Sequence, residues 1–418
     1  MSSNLRRPPW AGLLFLGCLG ASSAALAEPA PPFKALLAQA QATAPRLAEA
    51  RADIARAEGL ARQAGVMPNP TLELDIENFS GSGPFRGTSL SETTATFGQT
   101  LELGGKRSAR AAAGRAEVEV ARAEARQAEA EYAFDLTAAY AEAEASDRRL
   151  QLALDALSLA EQDGQIASAL VDAGREAELR RLQAQAAAQA ARAAVDEARV
   201  ARAEAFGALT ALAGAPVPFT SIPVSLLDSE APLSTASTLV ATGTASYLAA
   251  QAEQEAAARR LRVERRRAIP DVTVSMGVRR FEEDDATALV AGLSAPLPLF
   301  DQNRGNIAAA GAEVTAAEAR LNAARLEAEA AVRTSAARTS AAQTRITAAR
   351  QGETTAQEAY RLARIGYEAG RLPLAELVAA RRALAEAREQ TIAAAVERIS
   401  AQAAQARLSG VAIPGEQQ

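Results

Sequence analysis

The sequence contains no histidine and only one cysteine, Cys18. Without imidazole it lacks the usual general base near neutral pH and the commonest transition-metal ligand. With one thiol it cannot form an internal disulfide. Aromatic residues make up 4% of the chain, too few for a thick mixed core, whereas alanine is abundant and suits long helices packed closely. No phosphate-cradling Gly-x-x-x-x-Gly-Lys motif occurs, and Gly104-Gly105-Lys106 reads as a strand-to-helix junction. No catalytic constellation is visible, and no cofactor, metal site or nucleic-acid partner is expected. After residue 27 no stretch approaches the roughly 20 apolar residues of a membrane-spanning helix.

Residues 1–27 have the plan of a secretory signal. Arg6 and Arg7 form its basic start, Trp10 to Gly20 its apolar centre and Ala25-Leu26-Ala27 its small-x-small cleavage site. Cleavage there removes Cys18 and leaves a mature chain without cysteine. It also moves the formal charge from −5 to −7, through loss of the two arginines. The alternative is lipoprotein processing at Cys18, although Phe15-Leu16-Gly17 is a poor lipobox.

The remainder is built twice. A first helix is expected up to about Ala64, ended by Pro68 and Pro70. Thr71 to Phe79 then alternates, with Leu72, Leu74 and Ile76 on one face and Glu73, Asp75 and Glu77 on the other. After a turn at Ser80 to Pro84, Thr93 to Leu103 alternates again. A proline-poor helix follows from about Arg107 to Val171, and after the turn Asp172-Ala173-Gly174-Arg175 a return helix runs from about Glu176 to Ala213. The second copy has a helix from about Ala236 to Arg267 and a strand from Asp271 to Phe281. A strand carrying Leu289, Leu293, Leu297 and Leu299 on one face follows. Its long helix runs from about Asn303 to Glu368, the turn is Glu368-Ala369-Gly370-Arg371, and the last helix ends near Leu408. Leu101 and Leu297, Glu117 and Glu313, Gly174 and Gly370, and Gly214 and Gly410 all differ by 196 positions, the mark of a tandem duplication. The expected divisions are a signal at 1–27, a first repeat at 28–214, a linker at 215–235, a second repeat at 236–410 and a tail at 411–418.

Helices this long, roughly 100 Å at 1.5 Å per residue, need other long helices as partners. Ile307, Val314 and Leu321, with Ala328 in phase, form a short heptad seam. The strands have the length of those in outer-membrane barrels, but four cannot close a barrel and open edges are not tolerated in lipid. Closure requires several copies: two would give eight strands and three twelve, and counting does not choose. Two alternatives remain open from the residues alone: soluble hairpins packed on helices, or a periplasmic coiled-coil structural or adaptor protein.

Essentially the whole chain after residue 27 resembles outer-membrane factors of the TolC type. The most specific likeness is Ala295-Pro296-Leu297-Pro298-Leu299-Phe300-Asp301-Gln302-Asn303-Arg304-Gly305-Asn306, similar to the segment before the second long helix in cobalt-zinc-cadmium resistance channels. Pro68-Asn69-Pro70 and Tyr367-Glu368-Ala369-Gly370 also resemble family features. The resemblance implies a mainly helical fold with a small β part. Three protomers would share a twelve-stranded outer-membrane barrel and a long periplasmic α-barrel. It further implies a passive exit duct of a tripartite pump, joined to a periplasmic adaptor (membrane fusion) protein and an inner-membrane RND-type transporter. Divalent heavy-metal cations are the implied cargo; drugs or secreted proteins are the alternative.

On that basis Leu72, Leu74, Ile76, Val272, Val274, Leu289, Leu293 and Leu297 are expected to face lipid, and Glu73, Asp75 and Glu77 the lumen. Ala173, Gly174, Arg175, Ala369, Gly370 and Arg371 are the expected adaptor contacts at the periplasmic tip, although a glycine turn also needs no more explanation than helix capping. The resemblance places Glu376 in a ring of carboxylates at the periplasmic aperture, with Glu178 as a further charge. The family's second acidic position, one helical turn later, is Ala379 here, which thins the ring.

Overall fold

A computed structural model describes residues 28–229, 239–369 and 371–410. The signal with Cys18, residues 230–238 of the linker region, Gly370 and the tail lie outside the described residues.

The elements run α1 (Phe33–Thr43), α2 (Pro45–Ala64), β1 (Thr71–Glu77), β2 (Glu92–Leu101), α3 (Lys106–Asp172) and α4 (Glu178–Ala213). Then come α5 (Ala245–Arg267), β3 (Val272–Phe281), β4 (Ala286–Ser294), α6 (Arg304–Glu368) and α7 (Leu374–Ser409). The two long helices, α3 and α6, have 67 and 65 residues. Both return helices have 36 residues and begin 196 positions apart, and Gly214 and Gly410 end them in the same left-handed conformation.

Three expected boundaries need correction. The single helix up to Ala64 is two, because Ala44 is extended and Pro45 starts α2 at the position where a missing N–H costs nothing. The helix expected from Ala236 begins at Ala245, where the Thr244 hydroxyl accepts from the Tyr247 N–H. The last strand ends at Ser294, so Leu297 and Leu299 lie beyond it. Pro296 and Pro298 remove ladder donors there, and the chain runs irregularly to Asn303 before α6.

Helix α3 is a spine. Near the strands α2 and α5 flank it and α5 packs on α6; towards the turns α4 and α7 flank it and α7 packs on α6. Each protomer is therefore a wall four helices wide, with α2 followed by α4 in one lane and α5 followed by α7 in another. Small residues allow the lanes to approach: at Gly114 of α3 a Cβ would lie 2.8 Å from the Ala61 Cα of α2. The heptad positions of α6 turn a narrow stripe inward, including Ala310, Ala317, Ala328, Ser335, Ala342 and Ile346, and leave its other side open.

The main core girdles the middle of α3. Phe33, Leu36 and Leu37 of α1 meet Tyr132, Leu136 and Tyr140 of α3, Phe206 and Leu209 of α4, and Ile392 and Ile399 of α7. The segment after α4 is part of it, with Phe219, Leu226 and Leu227 buried. Glu144, 5% exposed, holds that segment: it accepts from the Leu226 N–H (2.8 Å), the Leu227 N–H (3.1 Å), the Ser225 hydroxyl (2.6 Å) and Arg148 (2.6 Å). Arg148 also binds Asp228, and that hydrogen bond holds the Asp228 carboxyl below its ordinary range. From the other side Arg398 donates to the Leu227 carbonyl at 2.9 Å. These charges are matched as they are buried, which is the condition for burying them at all.

Candidate functional site

The four strands form one antiparallel sheet in the order β1-β2-β3-β4. Its centre is the β2–β3 pairing, which joins the two repeats, and its free edges are β1 and β4. The register carries the alternation of each strand across the whole sheet. Leu72, Phe97, Met276 and Ala291 form one cross-strand row and Leu74, Ala95, Val278 and Leu289 another. Ile76, Val274 and Leu293 lie on the same face, with Val272 at its lower end. That face is bare: Leu72 is 80% and Leu289 86% exposed. Leu297, off the strand, is also exposed.

The opposite face is polar. Glu73 pairs across the ladder with Thr96 and Asp75 with Thr94; Glu77 pairs with Glu92. Glu92 and Arg279 join this face as well. Arg279 of β3 reaches across β2, donating to Glu92 and to the Thr94 hydroxyl at 3.0 Å each, and lies 3.5 Å from Glu77 of β1. Four carboxylates and one guanidinium thus share this face. Arg279 was legible as a polar position, but its partners depend on inter-strand register, which alternation does not give.

At the far ends of the long helices the two turns are built alike. Ala173 N–H donates to Ala169 and Ala369 N–H to Ile365; Arg175 N–H donates to Leu170 and Arg371 N–H to Gly366. These four bonds repeat at the same 196-residue offset. Gly174 takes a φ of 68°, the left-handed conformation that such a helix end requires. Ala173, Gly174, Arg175, Ala369 and Arg371 are all exposed. Large apolar side chains beside the turns are exposed too: Ile166, Leu179 and Leu182 near the first, Leu362 and Ile365 near the second. Their signal in the sequence is apolar residues out of phase with the packed stripe.

Glu178 and Glu376 occupy the first turns of α4 and α7. Glu178 lies 3.7 Å from Arg181, which also binds Asp172 at 2.5 Å. Glu376 is exposed. Both sit where the helix dipole favours a negative charge. Among the described residues no group of three or more acidic, histidine or cysteine side chains could hold a metal ion, and no helix is long and apolar enough to cross a membrane.

The family described as "Outer membrane efflux protein" matches residues 36–215 and 244–411. The chain belongs to this family. It is 42% identical to the nickel and cobalt resistance protein CnrC of Cupriavidus metallidurans over 76% of this chain and 75% of that protein. It is 41% identical to the nickel-cobalt-cadmium resistance protein NccC of Alcaligenes xylosoxydans xylosoxydans over 76% and 71%. Its fold matches the open state of the MtrE outer membrane channel of Neisseria gonorrhoeae, with a TM-score of 0.76 at 18% identity, covering 93% of this chain and 91% of that one. The family assigns the chain to the outer membrane as a channel component of efflux, with its helices extending into the periplasm. The bare apolar face of the sheet and the length of the helices are the physical form of that assignment.

Proposed function

We propose that three copies of this chain close a shared barrel and act as the passive exit duct of a tripartite pump for divalent heavy-metal cations. The observation that carries this reading is the sheet itself. It has one apolar exposed face, one polar face and two unpaired edges, and because all three pairings are antiparallel its edge strands β1 and β4 run in opposite directions, as antiparallel closure between copies requires. Closure satisfies every edge group, which lipid demands. Leu72, Leu74, Ile76, Val272, Val274, Leu289 and Leu293 then meet lipid, while Glu73, Asp75, Glu77, Glu92 and Arg279 line the lumen.

The same closure turns three four-helix walls into a tube with six turns at its tip. The matched turns and their exposed apolar flanks suit docking of a periplasmic adaptor, which would connect the duct to an inner-membrane RND-type transporter. Three copies of Glu376 around the axis make a negative constriction that attracts cations. The metal cargo is supported by the nickel, cobalt and cadmium resistance named in the relatives. With no histidine, and without Cys18 once residues 1–27 are removed, such a duct does not hold these ions tightly, which suits passage. Loss of residues 1–27 on export completes the reading.

The test is a deletion strain grown on graded nickel, cobalt, zinc and cadmium beside a panel of dyes and antibiotics. Sensitivity confined to metals, restored by the gene in trans, is the expected result. Sensitivity to the organic compounds alone would assign a drug duct.

A further inference from the structure

The end of α5 nearest the sheet carries six arginines in nine residues: Arg259, Arg260, Arg262, Arg265, Arg266 and Arg267. Half of them are neutralised. Arg259 binds Glu255 at 2.9 Å, Arg260 binds Glu117 at 2.6 Å and Glu253 at 3.1 Å, and Arg267 binds Glu264 at 2.7 Å. Among the described residues Arg262, Arg265 and Arg266 have no carboxylate partner. They do not point to unrelated places. With Arg259 they line one open cavity of about 520 Å³ between α5 and the start of α3, bordered by Gly105, Ser108 and Ile269, and no acidic residue lines it. Basic residues at a helix C-terminus are favoured by the dipole, but the dipole does not require them to converge.

The side of the wall on which this cavity opens follows from the helix phase. Lys106 binds Asp271 at 2.8 Å and Arg110 binds Glu102. Asp271 and Glu102 continue the polar rows of β3 and β2, so Lys106 and Arg110 lie on the polar side of the wall. Ser108 and Ala112 are two residues on from each, about 200° around the helix, and face the other way. The cavity is therefore continuous with the apolar face of the sheet. It also lies between the two middle helices of the protomer wall, since α2 and α6 are the outer ones at this level. A neighbouring copy pairing at the edges does not cover it.

Just above it the exposed surface is apolar. Leu101 and Leu103, which continue the apolar row of β2, immediately precede Gly104 and Gly105 and are exposed. Going down the wall, an apolar band is followed by four arginines around a cavity. A phospholipid at a membrane border presents its groups in the same order: acyl chains, then an anionic phosphodiester.

We propose that this cavity binds the headgroup of an anionic phospholipid in the leaflet that borders the periplasm. The proposal rests on the outer-membrane reading of the sheet. Guanidinium forks match phosphate oxygens in geometry as well as charge, and the uncapped first turn of α3 adds backbone N–H donors. Bound lipid would fix the height of the barrel relative to the membrane plane.

The experiment uses the full-length protein extracted from the outer-membrane fraction in neutral detergent. Dioleoylphosphatidylglycerol, dioleoylphosphatidylcholine or inorganic phosphate is added, and retained lipid is counted by native mass spectrometry beside thermal melts. The wild type should retain and be stabilised by phosphatidylglycerol alone. A combined Arg262→Gln, Arg265→Gln and Arg266→Gln variant should reach the outer membrane yet bind that lipid about a hundredfold more weakly. Arg280→Gln, at the far end of β3, should bind as the wild type does. If the combined variant does not fold, Arg262→Gln and Arg265→Gln singly should each weaken binding about fivefold. Unchanged retention in these variants would overturn the proposal. Equal stabilisation by inorganic phosphate would overturn it in favour of a simple anion site. Absence of the wild type from the outer membrane would instead refute the reading on which the proposal rests.

Discussion

Asp163 of α3 and Arg381 of α7 form a 2.9 Å ion pair that ties the two helical hairpins together above their turns. Asp163 lies nine residues before the end of α3 and Arg381 seven residues after the start of α7, so the bridge sits close to the tip. Both side chains are mostly buried, at 21% and 29% exposure for Arg381 and Asp163. Removing one charge strands the other. Asp163→Asn should destabilise the protein by about 1–2 kcal/mol, and the exchanged pair Asp163→Arg with Arg381→Asp should recover part of that loss. Thermal melts of Asp163→Arg, Arg381→Asp and the exchanged pair form the cycle that measures the coupling; additive losses would deny it.

The two faces of β1 predict opposite responses to neighbouring substitutions. Leu74→Arg should impair assembly by about 2–4 kcal/mol if the site lies near the bilayer midplane, and Glu73→Gln should assemble normally. Recovery of folded oligomer from outer-membrane fractions decides the matter. Equal insertion of both would reverse the assignment of the faces.

At the aperture, Glu376→Gln should lower cation preference and weaken block by multivalent cations added from the periplasmic side. Single-channel recordings in planar bilayers read both. With Ala379 at the next turn of α7, that helix supplies no second carboxylate to mask the change. Glu376→Gln combined with Glu178→Gln should reduce preference further. Unaltered selectivity would leave Glu376 as a helix-end charge.

Bulky substitutions at the tips separate docking from folding. Ala173→Trp and Ala369→Trp project from exposed turns whose backbone bonds do not involve the side chain. Export should be lost while the oligomer keeps its melting temperature. A parallel loss of the oligomer would assign the turns a folding role.

The core predicts a loss of stability in alkali. Burial, with a smaller contribution from Glu144, pushes the Tyr140 hydroxyl up from 10.0 to about 12. Between those values the unfolded tyrosine ionises while the folded one stays neutral, so stability falls as pH rises through that window. Tyr140→Phe should flatten this step. At neutral pH it should cost about 1 kcal/mol, because the hydroxyl's bonds to the Val224 and Pro31 carbonyls are lost. Chemical denaturation at pH 8 and pH 11 tests both signs.

Much of the architecture is written in local pattern. The alternation of β1 to β4 and the proline-poor runs of α3 and α6 gave both element type and approximate ends, because pleat and helix impose their periods directly on the side chains. The errors fell where local pattern is silent. Alanine favours helix on both sides of Ala44, so only Pro45 marked the break between α1 and α2. The start of α5 was hidden among small residues that fit helix or loop, until Thr244 showed as a cap in three dimensions. The candidate site divides in the same way. Glu73, Asp75 and Glu77 could be sorted from Leu72, Leu74 and Ile76 by eye, but Glu92 and Arg279 required the register of β2 against β1 and β3.

The sequence by itself determined the duplication, the four strands, the two long helices with matched turns and the absence of imidazole chemistry. Each of these is a property of composition or of spacing along one chain. The tertiary structure alone decided that β2 pairs with β3, that α2 and α4 share one lane and α5 and α7 another, and that Glu144 is a buried anchor. It also separated Arg262, Arg265 and Arg266 from the paired arginines around them. On an alanine-rich helix a solvated glutamate and a buried one look the same in sequence. What distinguishes Glu144 is a segment some 80 residues away whose backbone N–H groups fold onto it. Burial and partnership are long-range facts, and only packing the chain against itself creates them.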